Sequence, residues 1–158
     1  MRGLPKRRRL EAKTDYLARL SLISSRKARM VIRKTNRYVV LQLVSSNNAQ
    51  DTVLLTVSSK DLLEKGWPKD KQGSLKSRPA AYLAGYMFGN LAKKQAKEAI
   101  LDLGMQRNVK KSRIYASLKG AVDAGLVIPH SKDVLPTDEE LQSNPQTGKL
   151  VASLRSKL

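Results

Sequence analysis

Arg29-Met30-Val31-Ile32-Arg33-Lys34, Tyr38-Val39-Val40-Leu41-Gln42-Leu43-Val44 and Asp51-Thr52-Val53-Leu54-Leu55-Thr56-Val57-Ser58 are three runs in which apolar residues recur at every second position. Side chains alternate between the two faces of a strand, and β-branched residues suit a pleated, half-buried surface. The runs read as strands that bury Met30 and Ile32, then Val39, Leu41 and Leu43, then Val53, Leu55 and Val57. A short turn at Thr35-Asn36 joins the first two as a hairpin, with Asn36 able to take positive φ. Residues 45–50 make a looser second turn, so the sheet opens as an antiparallel meander. Its second face carries Arg29, Arg33, Tyr38, Gln42, Thr52 and Thr56. Such a face is either simply wet or turned to an anionic partner.

Downstream, residues 59–78 look like a linker, with Ser59 capping a turn of helix and Gly66-Trp67-Pro68 ending it. Trp67 beside a proline reads as a plug at the core edge, with stacking on a base as the rival role. Pro79 suits a first helical turn, and no strong breaker follows before residue 98. Tyr82, Leu83, Ala84, Tyr86, Met87, Phe88 and Leu91 make this helix apolar nearly all round, hence buried. Ala81, Gly85 and Gly89 fall four apart, a small-residue groove suited to close packing on a sheet. Lys93, Lys94 and Lys97 belong to its wet last turns. Residues 99–103 read as a strand parallel to an earlier one, reached by a crossover. A basic loop follows, then a helix from Ser112 or Arg113 to Ala124, closed by Gly125. Residues 126–128 read as a last small strand. Thr137 caps a short acidic helix, and the rest reads as a mobile tail. The class is α/β: a three-stranded antiparallel meander extended by a parallel strand, with helices packed on the sheet, a basic N-terminal arm and a C-terminal tail. The expected divisions are 1–25 for arm and short helix, 26–130 for the α/β domain, and 131–158 for helix and tail.

Upstream of the strands the charge is lopsided. The first 34 residues hold twelve cations against Glu11 and Asp15, over half of the chain's net +18. Residues 1–13 contain Gly3 and Pro5, and Lys6, Arg7, Arg8 and Arg9 repel one another. The segment reads as an arm that is disordered alone and folds on a partner. Thr14 or Asp15 then caps a helix over residues 16–24, with Leu17, Leu20 and Ile23 at helical spacing. A second basic block spans residues 93–119, where Lys93, Lys94, Lys97, Arg107, Lys110, Lys111, Arg113 and Lys119 face only Glu98 and Asp102. Phosphate neutralisation by Lys and Arg releases counterions and sets affinity for nucleic acid. Asn108, Tyr115 and Ser117 add hydrogen-bonding and stacking groups of the kind structured RNA uses.

A sequence pI of 10.4 points to nucleic acid or an anionic membrane. A membrane-surface helix needs a large apolar face, and residues 2–13 offer only Leu4 and Leu10, which favours nucleic acid. At 158 residues with no cysteine, the chain reads as one domain with extensions and without disulfides or thiolate metal sites. No apolar region of signal-peptide type follows the basic start. The most apolar run is far shorter than the roughly 20 residues a bilayer requires. A soluble, cytoplasmic protein is expected.

Signals for catalysis are sparse. His130 is the only histidine, too few for a histidine metal site. No catalytic, metal-binding or cofactor-binding residue is expected. The enzyme rival is a two-metal nuclease using Asp51, Asp102 and Asp123, which would have to converge. Their spacing gives no sign of that, and pairing of Asp102 and Asp123 with a nearby Lys or Arg is expected instead.

Longer words in the sequence point the same way. Thr14-Asp15-Tyr16-Leu17-Ala18-Arg19-Leu20 is followed by Lys27-Ala28-Arg29-Met30-Val31-Ile32-Arg33-Lys34-Thr35-Asn36-Arg37-Tyr38. Ala81-Tyr82-Leu83-Ala84-Gly85, Ala99-Ile100-Leu101-Asp102-Leu103-Gly104 and the run from Arg113-Ile114-Tyr115-Ala116-Ser117-Leu118-Lys119-Gly120 to Leu126 come next in order. Together, over roughly residues 5–142, they resemble the large-subunit ribosomal protein eighteen family in its archaeal form. The resemblance implies a monomeric constituent of the large ribosomal subunit that binds 5S rRNA in the central protuberance, touching 23S rRNA and neighbouring ribosomal proteins. It implies RNA contacts on the arm and its helix, at Lys6, Arg7, Arg8, Arg9, Lys13, Tyr16 and Arg19. It extends them to the start of the sheet, at Arg26, Lys27, Arg29, Arg33, Lys34 and Arg37. Lys93, Arg107, Asn108, Lys110, Lys111, Arg113, Tyr115 and Lys119 complete the expected set. A general RNA-binding module without 5S preference is the alternative. The short C-terminus departs from the longer eukaryotic relatives.

Overall fold

The computed structural model describes residues 3–47, 50–143 and 147–158, with all their side chains except that of Lys149. The expectations placed on Arg2, on Asn48 and Ala49 in the second turn, and on Pro145 in the tail fall outside the described residues.

Strands β1 (Ala28–Lys34), β2 (Val39–Asn47) and β3 (Gln50–Ser58) form the antiparallel meander, and β4 (Ala99–Asp102) lies parallel to β1. The sheet order is β3-β2-β1-β4, the mixed α/β arrangement expected. In β2 the period-2 pattern holds through Leu43, and Met30, Ile32, Val39, Leu41 and Leu43 are buried together as expected, but in β1 Arg29 and Val31 on the other face are buried as well. In β3 the pattern breaks. A bulge pairs Leu55 with Leu43 but Val53 with Val44. One extra residue reverses which face each later side chain takes. Val53 therefore joins the face of Val44 and is half exposed, and Thr52 crosses to the face of Leu43. The hairpin turn also differs from expectation, because Asn36 stays out of the left-handed region. The Thr35 hydroxyl closes the turn instead. It accepts from the Tyr38 N–H and donates to the Tyr38 carbonyl, both at 2.9 Å. A side chain that satisfies the backbone this way removes the need for positive φ.

Ser58, not Ser59, caps the 3-10 turn Ser59–Leu63, with Asp61 closing a capping box. Ser59 is buried, and its hydroxyl accepts the Val39 N–H at 3.0 Å. Trp67 is a core plug, its indole N–H donating to the Lys71 carbonyl at 3.1 Å. Ser77 then caps a long helix, Arg78–Ala92, with Pro79 in its first turn. Number the helices α1 (Arg7–Leu10), α2 (Tyr16–Ser24), α3 (Arg78–Ala92), α4 (Arg113–Asp123), α5 (Asp138–Gln142) and α6 (Gly148–Arg155). Helix α3 stops well short of residue 98. Lys93 turns back to reach Asn90 Oδ1 at 3.0 Å and the Ala124 carbonyl at 3.3 Å. Residues 97–99 then pair with Val127.

The small-residue groove of α3 meets α4 and not the sheet. A methyl group at Gly85 would overlap the Ser117 carbonyl, and one at Gly120 would overlap the Tyr82 carbonyl. The two backbones touch because neither glycine has a side chain. Tyr82 also donates its hydroxyl to Asp123 at 2.8 Å. Burial, then that hydrogen bond, hold the phenol far above its ordinary pKa. Residues 126–128 contribute only a parallel bridge between Glu98 and Val127, not a strand. Thr137 caps α5 as expected. The expected mobile tail is instead helix α6, which buries Val151 and Leu154, packs on α3 and sets Arg155 5.4 Å from the Tyr86 ring centre.

Candidate nucleic-acid interface

Asp15 caps α2, accepting from the N–H groups of Leu17 and Ala18 at 3.0 and 3.2 Å. The inward stripe is Tyr16, Arg19, Leu22 and Ile23, not Leu17, Leu20 and Ile23. Leu17 and Leu20 are 80% and 63% exposed. Arg19 accounts for the rotation, because it reaches across to Asp51 on β3 at 2.8 Å. The arm ahead of α2 is more regular than its composition implied. Arg7–Leu10 makes one helical turn, Arg8 donates to the Thr14 hydroxyl at 2.9 Å, and Lys13 pairs with Glu11 at 2.8 Å. The Lys6 ammonium sits 4.5 Å from the Tyr16 ring centre. Nothing in α1 is buried, so Arg7 and Arg9 project into solvent.

Beneath α2 lies a buried ionic cluster. Arg29, expected on an open face, is 2% exposed. Its guanidinium donates to Asp102 at 2.9 Å, to Asp51 at 2.7 Å and to the Ser46 hydroxyl at 2.9 Å. The β1–β4 and β2–β3 pairings bring these groups onto one face. A buried guanidinium needs such partners, since an unpaired buried charge is strongly destabilising. Arg29 is therefore a structural anchor and is removed from the set of open contacts. Burial pushes the Asp51 carboxyl up, but hydrogen bonds from Ser46 and Arg29 and the charges of Arg29 and Arg19 outweigh it, leaving it below its ordinary value of 3.8. Asp102 also holds Arg33 at 3.3 Å and accepts the Gly104 N–H at 2.8 Å.

Because β4 runs parallel to β1, the C-terminal ends of both strands share one end of the sheet. Gln106 locks them there: it accepts the Lys34 N–H at 3.3 Å and donates to the Ile32 carbonyl at 2.5 Å. The hairpin residues Lys34 and Arg37 thereby stand beside the loop that leads into Arg107. The side chains of Lys34, Arg37, Arg107, Lys110 and Arg113 have no partner among the described residues. A cleft of about 690 Å³ opens at this end. Arg8, Lys13 and Arg19 line one wall, and Arg33 with residues 101–106 lines the other. The leading arm and the loop after β4 thus face each other across one cleft, although some 90 residues of chain separate them.

The fold sorts cations by sheet end and not by sequence block. Arg26 and Lys27 precede β1, and Lys97 precedes β4, so they sit at the far end, roughly 20 Å away for a strand of this length. Lys27 pairs there with Glu98 at 2.7 Å, and that hydrogen bond and charge hold the Glu98 carboxyl below its ordinary pKa. Lys93 marks the C-terminal end of α4, about 16 Å from Arg113 at the other end. Within the second block several groups are committed internally. Tyr115 is buried and donates its hydroxyl to Asn108 Oδ1 at 2.6 Å, so its ring cannot stack on a base. Lys111 pairs with Glu140 at 2.7 Å, and Lys119 with Asp138 at 2.6 Å. The acidic α5 helix thus occupies two of the expected RNA contacts. Gln106, which helps build the cationic end, went unrecognised in the sequence; pairing of Asp102 with a nearby cation was expected, and Arg29 and Arg33 supply it. Asp102 carried a faint signal as the lone carboxylate closing an apolar strand, and Gln106 carried none.

Asp51 and Asp102 do converge, but on Arg29 and not on a metal. Asp123 accepts the Tyr82 hydroxyl and makes no direct ion pair among the described residues, although its charge helps raise the pKa of Arg155. Among the described residues no group of three or more His, Cys, Asp and Glu side chains could hold a metal ion, and no helix is long and apolar enough to cross a membrane. His130 Nδ1 lies 2.7 Å from the Ile128 carbonyl, a local contact.

Comparison with known proteins matches residues 3–97 and 90–131 to the family described as ribosomal large subunit proteins 60S L5 and 50S L18. Large ribosomal subunit protein uL18 of Korarchaeum cryptofilum is 44% identical over 153 residues, covering 96% of this chain and 74% of the relative. The uL18 proteins of Methanoculleus marisnigri and Methanothrix thermoacetophila are 46% and 45% identical, each over 88% of this chain and over 78% and 80% of their own lengths. The likeness thus runs along nearly the whole chain, and the chain belongs to the uL18 family of large ribosomal subunit proteins.

Proposed function

We propose that this chain is a non-catalytic, structural constituent of the large subunit of the cytoplasmic ribosome, and that it binds 5S rRNA there. In this reading it attaches the 5S RNA in the central protuberance and touches 23S rRNA and neighbouring ribosomal proteins as a monomer. Family membership supports the ribosomal role. The observation that carries the RNA reading is the Gln106 lock, which gathers Lys34, Arg37 and Arg107 beside the cleft of Arg8, Lys13 and Arg33. Phosphates in a folded RNA are spaced closely enough for one such end to meet several at once, and each neutralised phosphate adds to the counterion-release drive. Arg33 keeps 41% of its side chain exposed although it pairs with Asp102, so it still presents a donor to the cleft. The expected contacts that remain open at this end of the sheet are Lys6, Arg7, Arg8, Arg9, Lys13, Arg33, Lys34, Arg37, Arg107, Lys110 and Arg113.

The test is recovery of the full chain from cells under native conditions, with sequencing of the RNA that accompanies it. Enrichment of 5S rRNA over transfer RNA of similar abundance is expected. Recovery of RNA in proportion to abundance favours a general RNA-binding module instead.

A further inference from the structure

A second groove lies at the same end of the sheet, outside both basic blocks. It has a volume of about 350 Å³ and is lined by Asn36, Arg37, Tyr38, Gln72, Gly73 and Lys76. One wall is the β1–β2 turn. The other is the 3-10 segment Lys69–Ser74 and the residues after it, a stretch that the sequence presents only as a basic linker. We infer that this groove holds a single-stranded or looped segment of large-subunit RNA, with Arg37 and Lys76 on its phosphates and Tyr38 beside a base. The inference rests on the RNA-binding reading above and adds a segment of chain to it.

Four observations carry it. Arg37 and Lys76 are exposed, have no partner among the described residues and share a groove that no carboxylate lines. Two amide side chains, Asn36 and Gln72, supply both donors and acceptors, the set that reads base edges and 2′-hydroxyls. Tyr38 is half-buried against the core while still lining the groove, so its ring is held in place, and stacking on an aromatic tolerates any base. Gly73 has nothing within 4 Å of where a Cβ would stand, which leaves a strand room to approach the backbone. An acidic peptide would satisfy the two cations but would leave the ring and both amides without a purpose. The wall itself is fixed, because Trp67 anchors to the Lys71 carbonyl and Leu75 is buried.

The experiment uses the full chain, the variants Lys76→Ala and Arg37→Ala/Lys76→Ala, and two probes, 5S rRNA and 23S rRNA; Lys76→Ala isolates the groove, because Arg37 also belongs to the cationic end described above. Affinity is titrated against salt, and contacts are mapped by ultraviolet cross-linking with peptide mass spectrometry. For whichever RNA occupies the groove, Lys76→Ala should lower the slope of log K against log salt by about 0.7–0.9, one phosphate, and the double variant by about 1.4–1.8. Peptides containing Tyr38 or Gln72 should carry a cross-linked nucleotide in the wild type and lose it in the double variant. Both changed residues are exposed, so circular dichroism should show the same fold. If the wild type binds RNA while the Lys76→Ala slope and the cross-links stay unchanged on both probes, the groove is empty and this inference fails alone. If the wild type binds neither probe, the RNA-binding reading fails with it.

Discussion

Replacing Arg29 by alanine should be among the most damaging single changes to this protein. The guanidinium is 2% exposed and joins Asp102 at 2.9 Å, Asp51 at 2.7 Å and Ser46 at 2.9 Å. Removing one partner of a buried ion pair costs about 3–5 kcal/mol, because the other charge stays buried without compensation. Here the lower end applies. Asp102 would keep Arg33 at 3.3 Å and the Gly104 N–H, and Asp51 would keep Arg19. Arg29 also leaves its own Nε without a partner, a cost that the variant no longer carries. A loss of about 3 kcal/mol lowers the melting temperature of a domain this size by about 6–12 °C. Scanning calorimetry or thermal circular dichroism measures it. A companion variant, Arg29→Met with Asp102→Leu, replaces the pair with apolar volume and should recover most of the loss, since such swaps are often neutral. A shift of less than about 2 °C for Arg29→Ala would refute the reasoning, as would a double variant no better than the single one.

Other outcomes follow from the same geometry. Gly85→Ala should destabilise by about 1–3 kcal/mol in a denaturant titration, because overpacking against Ser117 outweighs the roughly 1 kcal/mol that alanine gains in an open helix; a stabilised variant would show that α3 and α4 do not touch there. Asp51 has a lowered folded pKa, so its contribution to stability is present above the unfolded value near 3.9 and is lost as pH falls through the folded value. Stability measured against pH should drop over that acid window, and Asp51→Asn should flatten the drop. Deleting residues 1–13 should weaken RNA binding and reduce the salt slope by about 0.7–0.9 for each phosphate that the arm neutralises; an unchanged slope would remove the arm from the interface.

The sheet was legible because period-2 patterning in residues 29–34 and 38–44 has one physical cause, burial of one face. It misled in β3, where a single inserted residue, Leu54, reverses the phase without any change in composition. Helix α2 was legible in extent from its Asp15 cap, but its orientation depended on the Arg19–Asp51 pair, an interaction across 32 positions that no local pattern encodes. The same holds for the site. Charge counting found the cations but could not tell a solvated arginine from a buried one. Arg29, Lys111 and Lys119 differ from Lys34, Arg37 and Arg107 only in what the fold sets opposite them. That residues 99–103 run parallel to an earlier strand was expected from the sequence; that the partner is β1 was not. The consequence of that pairing, that the hairpin and the loop after β4 share one cationic end, became visible only with the Gln106 hydrogen bonds. Tyr115 shows the limit from the other side: its place in a basic run suggested stacking, and packing of α4 gave it to the interior.

The central claim is that the C-terminal end of β1 and β4 grips one particular RNA. Competition titration of the full chain tests it most directly, with labelled 5S rRNA displaced by unlabelled 5S rRNA or by an unrelated folded RNA of equal length, at matched salt. Displacement by 5S rRNA at far lower concentration than by the unrelated RNA, with that gap abolished in Arg33→Ala/Lys34→Ala/Arg107→Ala, is the predicted result. Equal displacement by both competitors would contradict it.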